Sequence, residues 1–176
     1  MEMGRRMRGI IMAALMLIRI AVILILCGNA FAQSVERERV EVDKVVQDYV
    51  GLYTAKTLDQ WKMLFHPDLR VSHPSEDGTI RVRNLEQFFN SQKQGFAEDP
   101  AMHEVLENVQ VFMARRMARV NADYVFTSEG KPSRGKLGLH LIRGEQGWKI
   151  VGIVFAYDDE GDCGASCSKK NPETKQ

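Results

Sequence analysis

The sequence has 176 residues and sets 24 Lys and Arg against 23 Asp and Glu, for a formal net charge of +1. With 44 % hydrophobic residues it can bury the core of one domain. Its balanced charge offers no electrostatic case for a nucleic-acid partner.

Residues 1–32 have the pattern of an export signal. Arg5, Arg6 and Arg8 make a basic start, Ile20–Cys27 is an apolar run, and Ala30-Phe31-Ala32 fits a small-x-small cleavage site. The pattern predicts a cut after Ala32, a mature chain starting at Gln33, and a periplasmic or secreted location. Retention as an uncleaved membrane anchor is the alternative. Arg19 interrupts the apolar run from Ile10, whereas a spanning helix needs about 20 unbroken apolar residues. Leu26 is too large for the position before a lipidated Cys27. Four of the 24 basic and one of the 23 acidic side chains lie in residues 1–32, which leaves 20 and 22 in the remainder. Two cysteines also remain, Cys163 and Cys167. In an exported protein this C-x-x-x-C pair reads as a small disulfide loop. A metal pair or a redox dithiol is the alternative, but no second Cys/His pair matches and redox motifs usually place two residues between the cysteines.

Residues 34–54 read as a helix, with Val42, Val45, Val46, Tyr49, Leu52 and Tyr53 as its apolar stripe. Thr57-x-x-Gln60 reads as a capping box. It opens a second helix that buries Leu58, Trp61, Leu64 and Phe65 and ends at His66-Pro67, since the residue before proline is pushed out of the α region. Leu69–His73 is a short strand, Ser75–Gly78 a turn, and Thr79–Val82 the returning strand of a hairpin. Asn84-x-x-Gln87 starts another helix with Leu85, Phe88 and Phe89 on one side. Ser91–Pro100, polar and containing Gly95, reads as a loop. From Met102 the period becomes two, and His103–Met113, Ala118–Glu129, Lys136–Arg143 and Trp148–Tyr157 are four strands. The breaks between them are Arg115–Met117, Gly130–Gly135 and Gly144–Gly147, short enough for antiparallel neighbours. The domain so outlined spans 33–157, and 158–176 is a polar tail. Helices followed by a meander predict an α+β domain in which three N-terminal helices pack on a curved, mostly antiparallel sheet.

The order of these elements resembles the nuclear transport factor 2-like superfamily, over about Val40 to Phe155. The residues that carry the likeness are Tyr49, Leu64-Phe65-His66-Pro67-Asp68, His73-Pro74, Gly78, Phe88-Phe89, Ala122 within VNADYVF, and Gly147-Trp148-Lys149-Ile150. The resemblance implies a cone-shaped α+β fold. It includes ketosteroid isomerases, polyketide cyclase-like proteins and exported proteins of lumazine-binding type, so it implies no single function. VVQDYVGL (Val45–Leu52) looks like the isomerase first helix, which places Tyr49 on that family's oxyanion-donating tyrosine. The isomerase base precedes a proline, and His73 stands there, before Pro74. The second oxyanion donor falls near Gly138, which has no side chain to donate; His140, two residues on, shares its face.

His73 is therefore the candidate general base and Tyr49 the candidate hydrogen-bond donor. The plainer readings are a polar strand end for His73 and one more core aromatic for Tyr49. Tyr49, Trp61, His73, Phe88 and His140 are the candidate ligand contacts; for Trp61 a core role, and for His140 a satisfied interior or opposite-face histidine, is the plainer reading. His66, His73, His103 and His140 show no metal-site spacing, so neither a metal nor another cofactor is expected. No G-x-S-x-G, P-loop or dinucleotide-binding glycine pattern is present. Three readings follow. One is an exported binding protein for a small apolar or aromatic molecule. Another is a cofactor-free isomerase- or dehydratase-like enzyme. The third is an assembly module, dimeric through the outer sheet face.

Overall fold

The structure is a computed structural model that describes residues 35–75 and 77–158. The expected signal segment, the expected tail and its two cysteines lie outside the described residues. The chain divides into two units between Glu41 and Val42. The described part of the first unit is the helical stretch 35–41, and the second unit carries the domain.

Helix α1 covers residues 35–51. Within the domain its inner face is Val42, Val46 and Tyr49, and Tyr53 just beyond the helix continues the stripe. The spacing of four, three and four is the core-facing period of an α-helix. Lys44 and Asp48 pair across one turn on the solvent side, 2.6 Å apart. Helix α2 is short, Leu58–Lys62. Thr57 is its N-cap but makes no capping bond; its hydroxyl donates instead to the Leu52 carbonyl at 2.8 Å. The predicted capping box is thus replaced by a tie back to the preceding helix.

Strand β1 runs Phe65–Pro74, with Leu69 and Val71 buried on alternate positions. His66-Pro67 does not end the helix, as the sequence suggests, but sits inside this strand. Its effect appears in pairing: the β1–β6 ladder shifts register between Phe65 and Arg70. Proline has no N–H to give to a ladder, so a bulge is where a strand tolerates one. Ser75–Gly78 turns the chain, with Gly78 at a φ of 77°. Strand β2, Ile80–Asn84, returns antiparallel to β1.

Helix α3, Leu85–Glu98, opens with a complete capping box between Asn84 and Gln87. It continues through Gly95, where a loop was expected. The sequence hides it because its inner face, Phe88, Phe89 and Phe96, is broken at Gln92. Gln92 belongs to that face all the same, since its side-chain oxygen accepts the Tyr53 hydroxyl. The helices do not form one N-terminal group, because α3 follows the first hairpin and packs on β1 and β2.

Strands β3 (His103–Ala114), β4 (Met117–Ser128), β5 (Lys131–Gly144) and β6 (Gly147–Tyr157) form the meander. Glu129 and Gly130 both have positive φ, 52° and 72°, and make a two-residue turn into β5. Strand β5 therefore begins at Lys131, and the glycine- and proline-bearing stretch 130–135 is mostly strand rather than a break. The six strands lie in the order β2-β1-β6-β5-β4-β3. All neighbours are antiparallel except β1 and β6, which are parallel. That parallel pair joins the hairpin to the meander.

On β5 the buried residues Leu137, Leu139 and Leu141 face the core. A Cβ added at Gly135 would lie 2.2 Å from the Ala156 carbonyl oxygen and 2.6 Å from Cε1 of Tyr124. A Cβ at Gly138 would meet nothing nearer than 3.8 Å. Gly135→Ala should therefore destabilise the domain by about 1–3 kcal/mol through overpacking, while Gly138→Ala should leave stability nearly unchanged. Thermal denaturation of the two variants checks this, and equal melting temperatures would contradict it.

Candidate functional site

The inner face of the sheet, α1, α2 and α3 surround a cavity of about 480 Å³. Tyr49, Trp61, His73 and Phe88, four of the residues expected at a site, line it. His140 does not. Strand alternation places Leu137, Leu139 and Leu141 inside and turns Gly138 and His140 outward. Both border a separate, open hollow on the outer sheet face, beside Arg119 and Asn121. The family position inferred for a second oxyanion donor at Gly138 is thus not in the cavity at all.

His73 follows Leu69 and Val71 on the inner face of β1. Its Nδ1 lies 3.0 Å from the Pro74 carbonyl oxygen. A carbonyl only accepts, so Nδ1 carries the proton and Nε2 holds a lone pair. Nε2 is buried and has no protein partner. The ring stacks on Phe155 of β6, with centroids 4.9 Å apart. Burial pushes the imidazole pKa down, the Pro74 bond opposes this, and Arg83 and Arg81 lower it further. His73 is therefore neutral at pH 7, in the tautomer of a base.

Glu104 is the residue the sequence did not reveal. Apolar Val109, Val111 and Met113 suggest a parity on β3 that would put Val105 inside and Glu104 outside. A bulge intervenes: the β3–β4 register shifts between Glu107 and Gln110, and Asn108 takes a φ of 51°. Parity flips there. Glu104 pairs with Phe126 and Leu106 with Tyr124, and Glu104 faces the cavity. Although the residue is partly exposed, its Oε1 is buried without a hydrogen-bond partner. Burial raises its pKa from 4.5 to about 8, so it is a neutral acid at pH 7.

Tyrosines complete the wall. Tyr49 is held well above its ordinary pKa by burial and then by Glu104, Tyr53, Tyr124 and Tyr157, so it keeps its proton and remains a donor. Tyr53 is raised likewise, by burial first and Glu104 next. Tyr124 and Phe155 meet edge to face at 6.2 Å, which carries the aromatic lining from His73 toward Glu104. Trp61 lines the same space but is only 1 % exposed and acts as core. Among the described residues, no group of three His, Cys, Asp or Glu side chains is placed to hold a metal ion.

The family model described as SnoaL-like domain matches residues 42–157. The fold, an α+β nuclear transport factor 2-like arrangement with a curved six-stranded sheet, is similar to several solved structures. A Mycobacterium tuberculosis protein of unknown function aligns at a TM-score of 0.61 and 12% identity, over 78% of this chain and 80% of that one. A candidate scytalone dehydratase from Novosphingobium aromaticivorans aligns at 0.59 and 12%, over 73% and 89%. A candidate dehydratase of the nuclear transport factor 2-like family from Streptomyces avermitilis aligns at 0.57 and 14%, over 69% and 97%. No curated protein matches the sequence. At these identities the likeness is one of fold.

Glu104 also makes stability depend on pH. Between about pH 4.5 and 8 the unfolded chain has lost this proton and the folded chain has kept it. Stability should fall as pH rises through that window, by up to about 1.4 kcal/mol per unit, and level off above it. Urea denaturation from pH 5 to 8.5 should show this slope for the native protein and a flatter one for Glu104→Gln. An unchanged slope in the variant would assign the dependence elsewhere.

Proposed function

The chain belongs to the SnoaL-like domain family, and we propose that its inner cavity binds a small aromatic or carbonyl-bearing molecule and moves a proton within it. One observation carries this reading. In one cavity His73 Nε2 and Glu104 Oε1 are both buried without partners, and burial shifts the first toward the neutral base and the second toward the neutral acid. Opposite shifts of two titratable groups in one site are how a fold supplies acid and base together.

In this reading His73 Nε2 removes a proton from the carbon next to a carbonyl. Negative charge gathers on the carbonyl oxygen, where the Tyr49 hydroxyl and the Glu104 carboxyl donate hydrogen bonds. The imidazolium then returns the proton to another carbon, an isomerisation, or to a departing hydroxyl, a dehydration. Two of the similar folds are described as dehydratases, which supports the second outcome by analogy of fold. The chemistry needs no cofactor. The export-signal pattern of residues 1–32 supports a further part of the proposal, that the protein works in the periplasm or outside the cell.

Binding without turnover is the second reading, and the sheet order favours it. Strands β6, β5 and β4 stand between the strand of His73 and that of Glu104, so a small ligand atom next to one group is not thereby next to the other.

Exchange in D2O separates the two. With a panel of enolisable aryl ketones, followed by NMR, the native protein should speed C–H exchange over buffer. His73→Ala should reduce that acceleration by about 10²–10⁴-fold, the usual contribution of a positioned base. Exchange no faster than in buffer across the panel, with the ketones bound, would leave the binding reading alone.

A further inference from the structure

We infer that the cavity takes a ligand bearing a carboxylate, which Arg81 and Arg83 of β2 receive at the rim. This rests on the reading of the inner cavity as a ligand site, and it names the chemical class that site selects.

The two arginines occupy alternate positions of a five-residue strand and both line the cavity. The residues between and beside them, Ile80 and Val82, are exposed. Strand alternation therefore points both guanidinium groups to one face. Register fixes where they stand: Arg81 pairs with His73 and Arg83 with Val71. Directly opposed side chains on one face are close neighbours, so the cations flank the His73 imidazole. Their charge is felt there, since both depress the basicity of His73.

Only one of the two is tied down. Arg83 Nη1 donates to Ser91 Oγ at 3.2 Å, and that hydroxyl donates in turn to the Phe88 carbonyl at 2.7 Å. This chain holds the Arg83 head along the α3 wall. Arg81 makes no hydrogen bond or ion pair among the described residues. Of the acidic residues that line the same cavity, Asp77 feels the charge of Arg81 but takes its hydrogen bonds from Thr79. Asp77 accepts from the Thr79 amide and hydroxyl, Glu98 accepts from Gln94, and Glu129 lies at the β4–β5 turn. The cavity is thus cationic along β2, with Asp77 in the turn before that strand, and acidic at the end of α3 and the β4–β5 turn. A guanidinium presents a planar fork that matches a carboxylate. An aromatic acid bound with its carboxylate on β2 would direct its ring inward, toward Phe155 and Tyr124.

Isothermal titration with 2-naphthoate and its neutral counterpart 2-naphthamide tests this. The acid should bind at least about tenfold more tightly than the amide to the native protein, the scale of a charge-assisted pair. Arg81→Gln and Arg83→Gln should each weaken the acid and leave the amide unchanged, and the double variant should bind both alike. Arg81 is exposed, so its replacement does not threaten the fold. Equal binding of acid and amide to the native protein, or an acid preference that survives in the double variant, would overturn the inference while the cavity reading stands. Failure of both compounds to bind the folded native protein would overturn both.

Discussion

The indole N–H of Trp61 donates to the carbonyl oxygen of Tyr49 at 2.8 Å, inside the core. The carbonyl belongs to the last turns of α1, where helix carbonyls lack a partner along the chain. The bond is what lets α2, only five residues long, take a fixed place. The Trp61 ring then meets Tyr53 at 5.0 Å, Phe65 at 4.5 Å and Phe88 at 5.6 Å. Those three rings come from the end of α1, the start of β1 and the start of α3. One side chain therefore sets the distances among the elements that wall the cavity, and the same bond fixes the backbone that carries Tyr49.

The cavity has the opposite character from this core. Trp61 is satisfied on every side, whereas Glu104 Oε1 and His73 Nε2 are buried without partners. Buried polar atoms left unpaired are costly and rare. Both belong to the same cavity, and the shift of each has burial as its first cause. The low polarity that deprotonates the imidazole is the same that protonates the carboxyl. One environment thus prepares the two groups in complementary states, without a direct bond between them.

Much of the architecture was legible from pattern alone. The stripe of α1, the Asn84 cap, the four long strands and the turn at Gly78 all follow from local rules. The place of Tyr49 and His73 on the cavity wall came instead with the resemblance to the isomerases. What was hidden was non-local or depended on one dihedral angle. The parallel pairing of β1 with β6 leaves no trace in either strand. The α3 stripe is interrupted by Gln92, whose partner Tyr53 lies 39 positions away. The bulge at Asn108 inverts the faces of β3, and with them the location of Glu104. Met102 and Leu106 share the parity of Glu104 and pack on the core, but Val105 and the apolar run beyond the bulge carry the opposite parity and mask that signal. His140 misled for the converse reason: its strand parity was readable, and it placed the residue outside.

The position of β6 has a consequence for how the protein forms. This strand lies between β1 and β5, and pairs Ile150 with Phe65 across most of the domain's sequence. Until residues 147–157 arrive, β1 has a bare inner edge and no strand joins the first hairpin to the meander. Phe155, on which His73 stacks, arrives with the same strand. Closure of so long a loop is slow, because its entropy is lost before the contacts are gained. The inner cavity and the six-stranded sheet are therefore completed together, when β6 pairs. A chain that has not reached that point presents an apolar strand edge, and it is open to pairing with other chains.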